Sequence, residues 1–332
     1  MKSAAFLLAL VPLSQTHAQG DSDSTVSKQK PIAVLQRHQA GVTSAKFSPD
    51  GSLLATSDLN GQVILWRTGS WTPARILNHG SEVYAIAFSP DGKTLASSGD
   101  DHKIILWNAL TGKQHRTIAN NRRALCVTFA PNGELLFGGE DGVIHFVDPA
   151  TGKETRTFKA DGPVWSLSVS ADNSTLATAL PLRVWDYRTL KKRSSLRSLG
   201  QLGVALFPDG KHLASAESTG GALLWNLGDS ATYVPLRTTV ERRASGAKGF
   251  ESFTVNMPVA SIDLSPSADR IVGGGTTGLV YVWTLTNSQP SVPLKLGGHT
   301  MTVTTVAFSP SGEFVASGSL DRTIRIWRIT RS

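Results

Sequence analysis

One phrase recurs along this chain: FSPDG at 47–51 and again at 88–92, FAPNG at 129–133, LFPDG at 206–210, LSPSAD at 264–269 and FSPSG at 308–312. A weaker copy, VSADN, keeps the frame at 169–173. The leading apolar residues are Phe47, Phe88, Phe129, Val169, Leu206, Leu264 and Phe308, separated by 41, 41, 40, 37, 58 and 44 residues. A period near 40 constrains the fold more than any local propensity. Each unit must be one supersecondary element that cannot bury its apolar face alone and packs on its neighbours.

Within a unit the pattern is that of short strands. VYAIAF (83–88) alternates, with Val83, Ile86 and Phe88 inward after a local bulge. Pro90, Asp91 and Gly92 then make a turn: Pro presets φ, Asp bonds to nearby backbone, and Gly accepts the left-handed conformation. TLASS (94–98) is a second strand, and IILW (104–107) is a third whose lost alternation implies cover on both faces. A turn at Thr111, Gly112 and Lys113 leads to a fourth strand, HRTI (115–118). The expected fold is therefore all-β: seven four-stranded antiparallel blades closed into a β-propeller, an arrangement that protects sheet edges by radial packing.

The remaining sequence-wide features fit one such unit. The chain has 332 residues, 40% hydrophobic and 17% charged, so a core is available without any disordered bias. The formal charge is +8, but Lys and Arg are scattered, with no run longer than 191–193, which reads as a solvated surface. Cys126 is the only cysteine, so no intramolecular disulfide can form, and it occupies a place held by Ser44, Ala85 and Ser166 in other units. A small packed residue is expected there, not a nucleophile. Residues 1–18 have the anatomy of a secretory signal peptide: Lys2, an apolar stretch at 4–13, and Thr16, His17 and Ala18 ahead of Gln19. That stretch is too short to span a bilayer, and no cysteine near the cleavage point offers a lipid anchor. Export to the periplasm or beyond is expected, with a cytoplasmic location the alternative if 1–18 is not a signal. Residues 19–31 are polar and aperiodic and read as a flexible tether.

These units resemble WD repeats, over residues 32–332, and together with the leader the chain resembles an exported, bacterial WD-repeat protein. In that family a buried network joins a His, a Ser or Thr, an Asp and a Trp in each blade. Unit two carries His79, Ser97, Asp101 and Trp107, and unit seven carries His299, Ser317, Asp321 and Trp327. Unit one has His38, Thr56 and Trp66, with Asn60 in the Asp position. These residues are thus structural: an indole N–H needs an acceptor and a buried carboxylate needs donors. The blades are placed at approximately 35–75, 76–117, 118–158, 159–195, 196–238, 254–295 and 296–332. The resemblance also implies a clasp, in which PIAVLQ (31–36) supplies the outer strand missing from unit seven. Unit three departs from the pattern with Asn120 and Val147 in the His and Trp positions. Unit four has Ala160 and a shortened turn; units five and six have Arg197, Thr219, Val255 and Thr277. Residues 239–253, with Arg242 and Arg243, exceed what a blade needs and are expected to form an inserted loop on the top face, where recognition loops concentrate.

The resemblance further implies that ligands meet the top face and the channel mouth. The corresponding positions hold Glu82, Tyr84, Asp100, Arg123, Glu140, Asp161 and Trp165. Tyr84 and Trp165 are large aromatics where other units have Thr43 and Thr304, and aromatics beside charges make typical interface anchors. The leading expectation is a non-catalytic scaffold, a monomeric ring that binds a protein or peptide, with no cofactor, no metal and no membrane span after leader cleavage. A binder of anionic polymer, polysaccharide before nucleic acid, is a second class, and an exported propeller hydrolase a third. Against the third, His38, His79 and His299 are claimed by the networks, and His102, His115, His145 and His212 show no ligand spacing.

Overall fold

The computed structural model describes residues 26–330 apart from 197–199, 219, 229, 247 and 248; the proposed leader, residues 19–25, Arg197 and Thr219 lie outside the described residues. The chain forms seven blades. Their first strands are Val42–Phe47, Val83–Phe88, Ala124–Phe129, Ser166–Val169, Gln201–Leu206, Val259–Leu264 and Val303–Phe308. Each packs beside the first strands of its two neighbours, and that of blade 7 packs beside that of blade 1, which closes the ring. Blade 2 shows the plan, an antiparallel meander of Val83–Phe88, Thr94–Gly99, Lys103–Asn108 and Gln114–Ala119. Its first strand carries the expected bulge between Val83 and Ala85. In such a meander the second-to-third connection and the link to the next blade emerge on one face, here called the top.

The recurring phrase forms the bottom turns, and its letters have a common cause. In blade 2 the Ser89 hydroxyl donates to Asp91 at 2.6 Å and accepts from the Thr94 N–H at 3.0 Å. Asp91 in turn accepts from the Lys93 N–H at 3.0 Å, while Gly92 takes φ +69°. Ser48 with Asp50 repeats these bonds in blade 1, and Ser170 with Asp172 does so in blade 4. The weaker letters VSADN suffice because Asn173 takes the left-handed position at φ 55°.

Burial is organised by seam. Seven apolar clusters occupy the seven interfaces between neighbouring blades, for example Leu65, Ile86, Leu95 and Trp107 between blades 1 and 2. The third strands are covered on both faces, as Ile104, Ile105, Leu106 and Trp107 show. The channel-facing edges of several first strands are met by polar side chains of the preceding blade. Ser166 and Ser168 accept from the N–H groups of Val204 and Leu206 at 3.4 and 2.9 Å. Ser261 and Asp263 accept from Val306 and Phe308 at 3.2 and 2.8 Å, and Thr305 accepts from Ala45 at 3.0 Å.

Two expectations change. Ala33–Leu35 does pair antiparallel with Ile324–Arg328 and completes blade 7. The segment before it, however, is not a free tether throughout. Val26–Ser27 adds to blade 6 as a parallel strand beside Leu294–Leu296, and Gln29 Nε2 donates to the Arg328 carbonyl at 2.6 Å. Residues 26–31 therefore belong to the closure of the ring, because their N–H and C=O groups find an open sheet edge. The insertion at 239–253 is also not a loop. Thr239–Gly246 and Gly249–Asn256 pair in an antiparallel hairpin running to residue 256. Reading the segment as one run hid its periodicity, since the alternation appears only once the chain is folded back between Gly246 and Gly249.

Candidate functional site

The His, Asp and Trp residues of the repeats form bonded chains inside the blades. In blade 2 the Trp107 Nε1–H donates to Ser97 Oγ at 2.8 Å. An indole only donates, so the hydroxyl proton is free for His79 Nδ1 at 2.8 Å, and His79 Nε2–H then donates to Asp101 at 3.2 Å. Blade 7 uses the same order through Trp327, Ser317, His299 and Asp321, with the imidazole turned so that Nε2 faces Ser317 at 2.8 Å and Nδ1 faces Asp321 at 2.9 Å. Burial holds the pKa of His79 and of His299 below the ordinary histidine value, against the pull of their aspartates. Burial alone would raise Asp321, but hydrogen bonds from Thr323 and His299 outweigh it and leave the carboxyl below its usual range.

Blade 1 corrects one assignment. His38 Nδ1–H donates to Asp58 at 2.8 Å and Nε2 meets Thr56, which accepts from Trp66 at 2.8 Å. Asp58, at the end of the second strand and fully buried, is the carboxylate of this network. Asn60 serves it only through a backbone N–H donated to Asp58 at 2.9 Å, joined by the Gln62 N–H at 2.9 Å. These bonds overcome the effect of burial and hold Asp58 below the usual carboxylate range. Alignment on the turn missed the exchange because the acid moved two residues upstream while the His did not.

Other blades lose the His and Asp but keep part of the bonding. Trp185 donates to Thr178 at 3.3 Å and Trp225 to Ser215 at 2.9 Å. In blade 6, where Gly273 packs against the Trp283 ring and offers no hydroxyl, the indole donates instead to the Arg237 carbonyl at 3.2 Å. Blade 3 replaces the network with a stack of Phe137 on His145, 4.6 Å between centroids. A brace then ties blades 3 and 4. Glu134 accepts from the Tyr187 hydroxyl at 2.7 Å, Arg156 at 3.1 Å and Thr155 at 2.9 Å, and Arg156 lies over the Phe146 ring at 4.0 Å. Cys126 is buried in the same seam, where it donates weakly to the Val164 carbonyl at 3.3 Å, and desolvation raises its thiol to about 12.

At the channel mouth the fold gathers five of the positions singled out from sequence. Glu82 and Tyr84 open the first strand of blade 2, Asp100 sits in its top turn, and Arg123 and Glu140 hold the equivalent places in blade 3. Tyr84 donates its hydroxyl to Asp100 at 2.7 Å. Arg123 then links the blades, Nε to Asp100 at 2.7 Å and Nη1 to Glu140 at 3.3 Å. Glu82 Oε2 is sealed from solvent and accepts no hydrogen bond. Its pKa is pushed up by burial and then by the charge of Asp100. Trp165 lines the channel, a cavity of about 440 Å³. Asp161 does not join this group: it is paired within its own blade, with Arg183 at 2.8 Å and Lys192 at 3.0 Å. Arg242 and Arg243 lie on the hairpin, with Phe253 and Ser252 as register partners, and their side chains lie outside what is described.

The sequence reading missed the apolar part of the mouth. Leu59, Leu125, Leu202 and Leu320 line the cavity with Tyr84 and Trp165. They occupy the same two positions per blade that gave Tyr84 and Asp100, so the signal was present, but only aromatic and charged residues were selected from it. Among the described residues, no group of three His, Cys, Asp or Glu side chains converges as a metal site would need, and no helix is long and apolar enough to cross a membrane.

Comparison with known families agrees with this geometry. Residues 29–67, 71–108, 112–148 and 291–328 match the family model described as WD domain, G-beta repeat. The chain carries WD40 repeats and forms a seven-bladed propeller. The matched segments fall on blades 1, 2, 3 and 7 of the WD40 ring, a contiguous arc that holds all three complete networks. No curated protein matches the chain as a whole. WD40 propellers generally mediate protein–protein interaction and are typically non-catalytic.

Proposed function

We propose that this WD40 ring is a non-catalytic scaffold that receives a protein or peptide partner on its top face, centred on the channel mouth. The observation that carries the reading is the cross-blade group of Tyr84, Asp100, Arg123 and Glu140 beside a cavity of about 440 Å³ lined by Trp165 and four leucines. A rigid concave site with aromatic anchors and a charged rim has the make-up of an interface core. The hairpin at 239–256 connects blade 5 to blade 6 on the same face and adds reach to it. Residues 1–18 support a further proposal, that the scaffold is exported; N-terminal sequencing of the native protein starting at Gln19 would agree with it, and a start at Met1 would refute it.

The test compares the purified protein with a Tyr84→Ala, Trp165→Ala double variant of unchanged melting. Each is used to recover partners from the envelope fraction of its own organism. A partner held by the parent and lost from the variant supports the reading. A partner held equally by both moves the site off the mouth and overturns it.

A further inference from the structure

The mouth is chemically divided, and the division specifies a ligand. On the side of blades 2 and 3, Arg123 pairs with Asp100 and Glu140, and a third carboxylate, Glu82, stands close enough to Asp100 to feel its charge. Asp100 and Glu140 keep 28% and 34% of their side-chain surface exposed. Glu82 lies behind them, and its Oε2 is sealed from solvent and accepts no hydrogen bond. On the other side Leu59, Trp165, Leu202 and Leu320 present apolar surface to the channel, and Leu125 lies between the two halves. The protein as a whole carries +8, so this arc has the opposite sign to the average surface around it.

An anionic ligand gains nothing here, since Arg123 is already committed to two carboxylates. A wholly apolar ligand would fill the cup but strip water from Asp100 and Glu140, which share the single charge of Arg123, and that is costly. A ligand carrying an apolar group and a cation a few ångströms apart satisfies both halves. We infer that the mouth binds a short linear peptide segment that seats an aliphatic or aromatic side chain against Trp165 and Leu320 and places an Arg or Lys over Asp100 and Glu140. This inference rests on the scaffold reading of the mouth and adds the chemistry of the partner to it. Guanidinium suits the place better than ammonium, because two carboxylates on adjacent blades offer acceptors to a planar fork.

A nonamer peptide library randomised at every position, panned on the purified protein at 50 mM salt, tests the assignment. The expected result is enrichment of Arg or Lys within three residues of Leu, Ile, Phe or Trp. Enriched peptides, measured by fluorescence anisotropy, should lose about tenfold in Kd on Asp100→Asn and on Glu140→Gln, the loss of one charge-assisted contact. They should lose a similar factor on Trp165→Ala, and they should weaken as salt rises to 200 mM. Glu140→Gln is the safer variant for folding, since it keeps an acceptor for Arg123; circular dichroism melts of all three check it. Enriched peptides without a cation, sensitive to Trp165→Ala alone, would overturn the cation assignment and leave the mouth as a docking site. Enriched peptides insensitive to all three variants, or no enrichment, would overturn both.

Discussion

Replacing Asp58 with Ala tests how the blade networks work, because it separates the observed acid from the residue in the expected place. Asp58 is fully buried and accepts three hydrogen bonds, from His38 Nδ1 at 2.8 Å and from the N–H groups of Asn60 and Gln62 at 2.9 Å each. The Ala variant strands all three donors. An unmet buried donor costs about 1–3 kcal/mol, and removing one partner of a buried pair costs about 3–5 kcal/mol, so a loss of about 3–5 kcal/mol is expected after partial relaxation. For a chain of this size that is roughly 6–10 °C in Tm. Asn60 is exposed and contributes only its backbone, so Asn60→Ala should stay within about 0.5 kcal/mol. Asp58→Asn keeps one carbonyl oxygen for the backbone donors and should fall between the two. Urea and thermal unfolding followed by tryptophan fluorescence gives the ranking. If Asn60→Ala proved as damaging as Asp58→Ala, or Asp58→Ala cost less than about 1 kcal/mol, the bonding account of blade 1 would be wrong.

Acidification should weaken the fold through the network histidines. The folded pKa values of His79 and His299 lie below the ordinary 6.5, so from pH 6.5 downward the unfolded chain takes up protons that the native rings refuse, and stability falls with pH. Burial raises Glu82 and Asp263 and acts in the opposite direction at lower pH, so the slope between pH 7 and 5.5 should be compared with that of a His79→Gln, His299→Gln variant. A variant slope equal to the parent's would exclude the histidines as its source. Tyr187→Phe removes one donor from Glu134 in the blade 3–4 brace and should cost about 1–2 kcal/mol in urea unfolding, with no cost showing the brace to be idle. Cys126 is buried, its thiol raised to about 12, and it should react with an aromatic disulfide reagent only as the protein unfolds; rapid reaction in native buffer would contradict its packing. Joining Thr238 directly to Met257 through a Gly-Gly link in place of the hairpin should leave the melting temperature within about 2 °C, since among the described residues its two strands pair with each other and with no blade. A large drop would show that it braces blades 5 and 6.

The architecture was legible because the repeat records bottom turns and seams. Ser89, Asp91 and Gly92 must be what they are to close a tight turn, and Trp107 must find Ser97, so the same letters return wherever the same geometry does. Asn60 stands in the expected place of the acid while Asp58 does its work, because a carboxylate can reach the histidine from the strand end as well as from the turn, and a fixed offset cannot tell the two apart. The brace of Glu134, Arg156 and Tyr187 left no signal at all, since it joins Glu134 to Arg156, 22 positions on in its own blade, and to Tyr187, 53 positions on in the next. Val26–Ser27 was taken for tether because two residues are too few to show a strand period.

The mouth is hard to read for a deeper reason. Positions fixed by seam packing must resemble one another from blade to blade, and this makes them visible; positions that face the channel have no such requirement. The residue after the leading one of each first strand, or after Val164 just ahead of it in blade 4, is Thr43, Tyr84, Leu125, Trp165, Leu202, Ala260 and Thr304. No common letter survives, yet the ring brings all seven to one opening. Specificity therefore resides in the differences between repeats, and it becomes readable only when closure sets those differences side by side. Arg123 illustrates the point. In its own repeat it is the second of two adjacent arginines on a connecting segment, and only beside the neighbouring blade does it become the bridge between Asp100 and Glu140.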